Sequence, residues 1–274
     1  EMESLRQIHD LRFREVAEIY LARLRSVRSF YLERLGCDVN GGFCSLAAAG
    51  RLELLASAAT HAVLPALRHV PAAVRSQVRV GIESHRRRFG ADPVGFWLPE
   101  CAYHPGVDEI LASEGIRYFI LETHGVLRGS TRARYGAYAP IACPSGVAAF
   151  ARDPESSKQV WSAKEGYPGD PDYRDFYKDL GFDLPLDYIS RYIGPDELRI
   201  ATGLKYHRVT GRGAARKEPY VRRRALEKAA EHAGHFIGCR RMQVEWLAGG
   251  MDRKPIVVAP YDAELFGHWW FEGP

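Results

Sequence analysis

The sequence predicts an α/β fold with parallel strands, and three observations carry that reading. "VGFWLPE" (94–100), "PGVDEILASEG" (105–115) and "IRYFILET" (116–123) read as strand, helix and strand. They span about thirty residues, the length of a parallel βαβ unit. A long helical tract, 218–250, runs straight into the β-branched stretch "PIVVAPYD" (255–262). Between these landmarks apolar runs alternate with helical patterns, and no repeat or low-complexity segment interrupts them.

Taken in order, residues 1–35 carry Leu5, Ile8, Val16, Ile19, Tyr20, Leu24 and Val27 at roughly helical spacing, which predicts a long amphipathic helix. Gly50 marks a break, "LELLAS" a buried strand, and "THAVLPAL" follows it. Pro71 and Gly90 bracket a helix over 71–90. In the βαβ unit, Pro105 opens the helix and Gly115 stops it, with Val107, Ile110 and Leu111 on one face. Residues 124–160 are punctuated by Gly, Pro, Arg and Ser and read as loop; 161–185 is irregular and dense in Tyr, Phe and Asp. So many aromatics argue against disorder and for a binding loop or lid over about 124–191, with Tyr135 and Tyr138 in it. Pro219 starts the long helix, and Gly249 and Gly250 end it.

Composition excludes several classes. With 46% hydrophobic residues the chain suits a globular core. No apolar run approaches the ~18–20 residues that span a bilayer. The first twenty residues are charged throughout, unlike a signal peptide, although the chain begins without Met. A net charge of +4 and a pI near 8.8 are too weakly basic to point to nucleic acid. Arg86–Arg88 and Arg222–Arg224 read as solvated helix faces. Five cysteines, at 37, 44, 101, 143 and 239, form no CxxC pair. The odd, scattered set suggests neither a disulfide framework nor zinc, and fits a reducing cytoplasm.

Two expected strands end on a carboxylate: "GFWLPE" on Glu100 and "IVVAPYD" on Asp262. In barrels of parallel strands catalytic groups sit at the C-terminal strand ends. Two carboxylates facing each other among aromatics are the equipment of glycosidic chemistry: one attacks, the other moves a proton. The alternative is that each acid caps a following helix. His61 in "ASAATHAVLP" is a further site candidate, with a structural histidine as the alternative. "EHAGH" (231–235) matches neither HExxH nor HxxEH, so His232 and His235 read as core or surface residues. No GxSxG, P-loop or GxGxxG stands in a convincing context.

These residues resemble glycoside hydrolase family 57. "WLPECAY" (97–103) and "APYDAELFGHWWFEGP" (259–274) resemble its third and fourth signature motifs, and "RLELLASAATHAVLPAL" (51–67) its second. "RDPESSKQVWSAKEGYPGDPDYRDFYKDLGFDLP" (152–185) is similar to the branch holding α-1,4-glucan branching enzymes. The resemblance implies an incomplete (β/α)7-type barrel with helical insertions, one of them about 1–45, so that residues 1–274 form part of a catalytic barrel domain. It implies a retaining mechanism without metal or organic cofactor, acting on α-1,4-glucan. By motif, Glu100 is the expected nucleophile, Asp262 the general acid/base, and His61 a sugar-holding residue. Trp97, Trp161, Trp269 and Trp270 are expected in the aromatic lining, and Arg174 and Arg191 as glucan contacts. A 6-hydroxyl acceptor gives an α-1,6 branch, a 4-hydroxyl disproportionation, and water hydrolysis. No nucleic-acid or membrane partner is expected. The first motif, His-Gln-Pro, is absent, and the chain stops directly after the fourth. The sequence therefore reads as the middle of a longer enzyme, truncated at both ends, with an inactive glucan-binding fragment as the competing reading.

Overall fold

The computed structural model describes residues 11–162, 164–193, 198–211, 213–214 and 216–274. Leu5 and Ile8, expected on the first helix, lie outside the described residues. Helix α1 runs Arg12–Ser29 and passes into a π-helical turn, Phe30–Arg34. Its stripe of Val16, Ala17 and Tyr20 is buried, but Leu24 and Val27 are more than half exposed. The apolar spacing continues past the core cluster that α1 packs into, which ends at Tyr20. Helix α2 (Val39–Ala48) follows; the Asp38 carboxylate accepts from Gly41 N–H at 2.8 Å and caps it.

Strand β1 is only Ala56–Ser57, the last two residues of the expected "LELLAS". Helix α3 (Pro71–Phe89) has Pro at its first turn and a left-handed Gly90 at its end, both as expected. Gly81 in α3 sits against β1: a Cβ there would lie 1.9 Å from the Ser57 carbonyl oxygen. Only hydrogen fits, so the helix lies directly on the strand. Strand β2 (Gly95–Trp97), helix α4 (Val107–Ser113) and strand β3 (Tyr118–Leu121) make the anticipated βαβ unit.

Beyond it the structure corrects the sequence reading. The stretch expected as loop holds helix α5 (Thr123–Leu127), strands β4 (Ile141–Ala142) and β5 (Ala148–Ala151), and helix α6 (Pro154–Trp161). Strand β5 is rich in alanine, a poor strand former, and carries no strand signal. Its Ala149 and Ala151 are buried where a larger side chain would crowd the core. Helices α7 (Leu180–Asp183) and α8 (Leu186–Ile193) are short, and α9 (Arg222–Gly250) is the long helix expected. The second correction concerns 255–262, which is not a buried strand. It is extended and half-buried, and joins β5 through one parallel bridge, Arg152 with Val258.

The five strands form one sheet of order β1-β2-β3-β5-β4. The first three pairings are parallel, and β4 returns antiparallel. The α/β class with a parallel sheet is therefore as anticipated.

The chain divides into two compact units. The sheet unit comprises Tyr31–Pro154 and Met242–Pro260. Val74, Val78 and Ile82 of α3, Phe96 of β2, Leu111 of α4 and Phe119 of β3 are buried together there. Each such side chain contributes about 1.5–3 kcal/mol on burial. The tyrosine unit comprises Glu1–Phe30, Glu155–Arg241 and Tyr261–Pro274. Its core gathers Tyr20, Tyr173, Tyr188, Tyr206 and Tyr220 with Val16, Leu180 and Trp270. Much of 161–185 is irregular, as expected, yet Tyr173 and Leu180 within it are core residues.

Candidate active site

In the sheet unit the parallel register aligns the C-terminal strand ends. Ser57 pairs with Trp97, Trp97 with Ile120, and Leu121 with Ala151. His61 follows β1, Glu100 follows β2, Glu122 follows β3 and Arg152 follows β5. Adjacent strands lie about 4.8 Å apart, so the four residues follow neighbouring strands along one edge of the sheet.

Glu100 sits in a tight turn, Pro99–Cys101, with φ 56° and ψ 21°; Cys101 follows at φ 51° and His61 stands at φ 53°. Left-handed backbone costs a side-chain-bearing residue about 1–2 kcal/mol. Such strain persists only where the surroundings enforce it. Here Cys101 N–H donates to the Leu98 carbonyl at 2.7 Å, and Glu122 N–H to the Cys101 carbonyl at 2.8 Å. The turn lifts the Glu100 carboxylate out of the sheet: its side chain is 69% exposed, with His61 Nε2 3.3 Å from Oε1. Of the five non-glycine residues with positive φ among the described residues, three are these. Trp97 is half-buried, and its carbonyl accepts the Ser57 hydroxyl at 2.9 Å.

Glu122 and Arg152 escaped the sequence reading. They face each other across β3 and β5, with Arg152 Nη1 3.6 Å from Glu122 Oε2. "YFILE" ends on an acid just as "GFWLPE" does, so Glu122 carried a signal that was available. Arg152 carried none, because β5 reads as loop. A larger hollow of about 860 Å³, lined by Tyr103, Asp108, Phe119, Ile141 and Cys143, contains neither Glu100 nor His61. Size does not make it the reaction centre.

Asp262 belongs to the tyrosine unit, is exposed, and precedes the short turn Ala263–Leu265. It makes no side-chain capping bond there, and Glu100 lies inside its turn rather than at a cap. The helix-capping alternative therefore fails for both carboxylates. The tract after Asp262 folds back on itself, with Trp270 N–H on the Leu265 carbonyl at 2.7 Å and Gly267 at φ 92°. Trp269 is 41% exposed and stacks on Phe176, with centroids 3.9 Å apart and an interplanar angle of 16°. Its indole N–H donates to Glu264 Oε1 at 3.3 Å.

Trp161, Phe176, Tyr177, Lys217 and Trp269 line a cavity of about 260 Å³ within this unit. The Lys217 ammonium lies 3.0 Å from Asp175 Oδ2. The Trp161 indole N–H is buried with no hydrogen-bond partner among the described residues. Aromatic walls with an unspent donor suit a ligand whose faces are apolar and whose rim is hydroxylated.

Of the remaining expected contacts, Arg174 borders this cavity, whereas Trp270 and Arg191 are not among its lining residues. Trp270 is 8% exposed and packs between Tyr173 and Tyr167, so it is core rather than lining. Arg174 is 5% exposed, and its Nη groups bond within the unit rather than at its surface. Arg191 is exposed on α8, its guanidinium 4.9 Å from the rings of both Tyr188 and Tyr192. His232 and His235 bond the hydroxyls of Tyr173 and Tyr167, each at 2.7 Å, as residues of the packed unit. Among the described residues no group of three His, Cys, Asp or Glu is placed to hold a metal, and no helix is long and apolar enough to cross a membrane.

Comparison with known proteins gives the family. Residues 2–245 match the profile of glycosyl hydrolase family 57. The chain is 34% identical over 271 residues to the 1,4-alpha-glucan branching enzyme TK1436 of Thermococcus kodakarensis, covering 89% of this chain and 37% of that one. It is 35% identical over 228 residues to the probable 1,4-alpha-glucan branching enzyme Rv3031 of Mycobacterium tuberculosis, covering 82% and 38%. Among solved structures it resembles the alpha-amylase AmyC of Thermotoga maritima, with TM-score 0.88, 44% identity, and 94% of this chain against 50% of that one. It also resembles the GH57-type branching enzyme of Pyrococcus horikoshii, with TM-score 0.83, 37% identity, and 99% against 49%. The chain thus spans about half the length of these solved relatives and less than two fifths of the curated ones. A match over most of the chain and the agreement in fold make it a member of glycosyl hydrolase family 57.

Proposed function

We propose that this chain carries the catalytic carboxylates of a retaining enzyme that cleaves α-1,4-glucan and rejoins the released segment as an α-1,6 branch. The observation that carries the proposal is the strained, exposed Glu100 beside His61 at the C-terminal strand edge. A carboxylate held out of the sheet at an energetic cost is placed to meet a reactant, not to stabilise the fold. Glu100 attacks the anomeric carbon; the C1–O4 bond breaks, and Asp262 gives its proton to the leaving oxygen. The glycosyl ester then passes to an acceptor hydroxyl, whose proton returns to Asp262. His61 orients the Glu100 carboxylate, and within the tyrosine unit Trp161 and Trp269 offer aromatic faces to a sugar. No metal or organic cofactor takes part in this scheme.

Support for branching comes from the relatives, three of which are named branching enzymes, one of them as a probable one. The name of the 44%-identical neighbour, an alpha-amylase, supports a second reading in which water is the acceptor. A 4-hydroxyl acceptor, as in a 4-α-glucanotransferase, would use the same pair.

Proton NMR of amylose incubated with the chain separates these outcomes. Branching is expected to produce a new α-1,6 anomeric signal. Hydrolysis produces reducing ends without it, and disproportionation changes only chain lengths. Glu100→Gln, nearly isosteric, is expected to lower turnover at least about a thousandfold while the melting temperature stays within a few degrees. Transfer by that variant at the parent rate would remove Glu100 as nucleophile. Amylose bound but unaltered by the parent chain would identify a glucan-binding fragment instead.

A further inference from the structure

The tract that follows Asp262 contains no strand or α-helix to hold it, yet Trp269 stands in a defined stack on Phe176. Besides the bonds within the tract, several contacts that fix it meet at one buried residue, Arg174. Its Nη2 donates to the His268 carbonyl at 2.6 Å, and its Nη1 to the Tyr20 hydroxyl at 2.9 Å. Its guanidinium lies over the Phe271 ring, 4.4 Å from the centroid. Its backbone N–H donates to Glu272 Oε1 at 3.1 Å. These partners bracket Trp269 in sequence: His268 before it, Phe271 and Glu272 after it.

The anchor is itself rigid. The Tyr20 hydroxyl donates to the Lys205 carbonyl at 3.1 Å and accepts the Lys205 N–H at 3.2 Å. The ring beneath Trp269 belongs to Phe176, two residues beyond Arg174. Its other neighbours include the Lys205 ammonium, 4.8 Å from the centroid, and the His268 and Tyr177 rings, each 5.2 Å away edge-on. Residues 174–176 therefore grip both the backbone of the tract and the indole it presents.

We infer that Arg174, which also borders the cavity, is the positioning residue for Trp269: its Nη groups are spent on Tyr20 and His268, so it sets the aromatic wall through its planar fork rather than by a bond of its own to the sugar. The fork bonds His268 and Tyr20 at once while it stacks on Phe271. A lysine ammonium keeps the charge but cannot hold that planar, divergent geometry. The part of this inference that concerns sugar rests on the glucan reading above; the part that concerns Trp269 does not.

The first test needs no ligand. Acrylamide quenching is read as the difference between each protein and its Trp269→Phe counterpart, which isolates Trp269. Arg174→Lys and Arg174→Met are both expected to change the Trp269 quenching constant by about twofold or more, because charge alone does not replace the fork. Tyr20→Phe removes one partner without emptying the core, and is expected to move it in the same direction by less. It carries the test if the Arg174 variants do not fold. Parent-like quenching in Arg174→Lys, or in Tyr20→Phe where only that variant folds, overturns the inference.

The second test is a double-mutant cycle on maltohexaose binding by calorimetry. Arg174→Lys is expected to weaken binding when Trp269 is present and to have no further effect once Trp269 is Ala. Additive losses would mean that Arg174 touches the sugar directly and would overturn the positioning role. Trp269→Ala with undiminished affinity would strike the glucan reading of the cavity, and the quenching result would then decide the inference alone.

Discussion

In the sheet unit the fully buried side chains include Val74, Val78, Ile82, Phe96, Leu111 and Phe119, carried on regular strands and helices. In the tyrosine unit the corresponding places are taken by Tyr173, Tyr206 and Tyr220, mostly on irregular chain, with Arg174, Asp175, Asp179, Lys205 and Glu272 buried beside them. The first core satisfies its backbone largely by ladder and helix bonds, and its side chains mainly supply volume. The second is framed by helices, but its aromatic core lies on irregular chain, where side chains satisfy much of the backbone instead.

Asp179 shows how. It accepts from the N–H groups of Gly181, Thr202 and Gly203 and from the Thr202 hydroxyl, at 2.8–2.9 Å, and lies 3.4 Å from the Lys205 ammonium. Burial pushes its carboxyl up, but the donated N–H groups of Thr202 and Gly181 outweigh that and hold it below its ordinary value. Glu272 is the opposite case: burial pushes it up despite the Tyr220 hydroxyl and the Arg174 N–H. A buried polar network of this kind fixes a unique arrangement but is fragile, because each lost partner leaves another group unsatisfied.

That contrast can be broken by mutation. The largest loss of stability is expected for Asp179→Ala, about 3–5 kcal/mol by denaturant unfolding, because Lys205 is left buried and unpaired. A loss under ~1 kcal/mol would mean that the network is incidental. Next comes Gly81→Ala in the sheet unit, where overpacking against the Ser57 carbonyl is expected to cost about 1–3 kcal/mol. A neutral result would show that α3 can lift off β1. Tyr173→Phe removes only the hydroxyl bonded to His232 and is expected to cost about 1 kcal/mol. Trp269→Ala, on the exposed side of the tyrosine unit, is expected to stay within ~0.5 kcal/mol of the parent while weakening maltohexaose binding.

Acid sharpens the comparison further. The folded Asp179 carboxyl titrates below its unfolded value of about 3.9. Its contribution is therefore fully present above that pH and is lost as pH falls through the folded value. The melting-temperature gap between the parent and Asp179→Asn should accordingly be constant from pH 7 to 5 and narrow below about pH 4. A gap unchanged down to pH 3 would remove the ionised carboxylate from the account.

Much of this was visible before any coordinates. The βαβ unit, α3 with its Pro71 and Gly90 ends, α9, and the acid closing "GFWLPE" follow from periodicity, end signals and strand-end chemistry. These act over a few residues, so adjacent sequence encodes them. Strand β5 was invisible because its alanines have no strand preference and are selected by the space left in the sheet. The 255–262 tract looked like a strand for the converse reason: β-branched residues give the pattern, but only one bridge forms. Glu100 could be named from its motif. Its left-handed turn could not, because that strain is held by Glu122 and Leu98 through the sheet register. Likewise, Arg174 and Trp269 were named as candidates, yet only folding could make Arg174 a buried anchor and leave Trp269 at the surface. A side chain's exposure depends on which distant groups close around it, and nothing local in the chain specifies that.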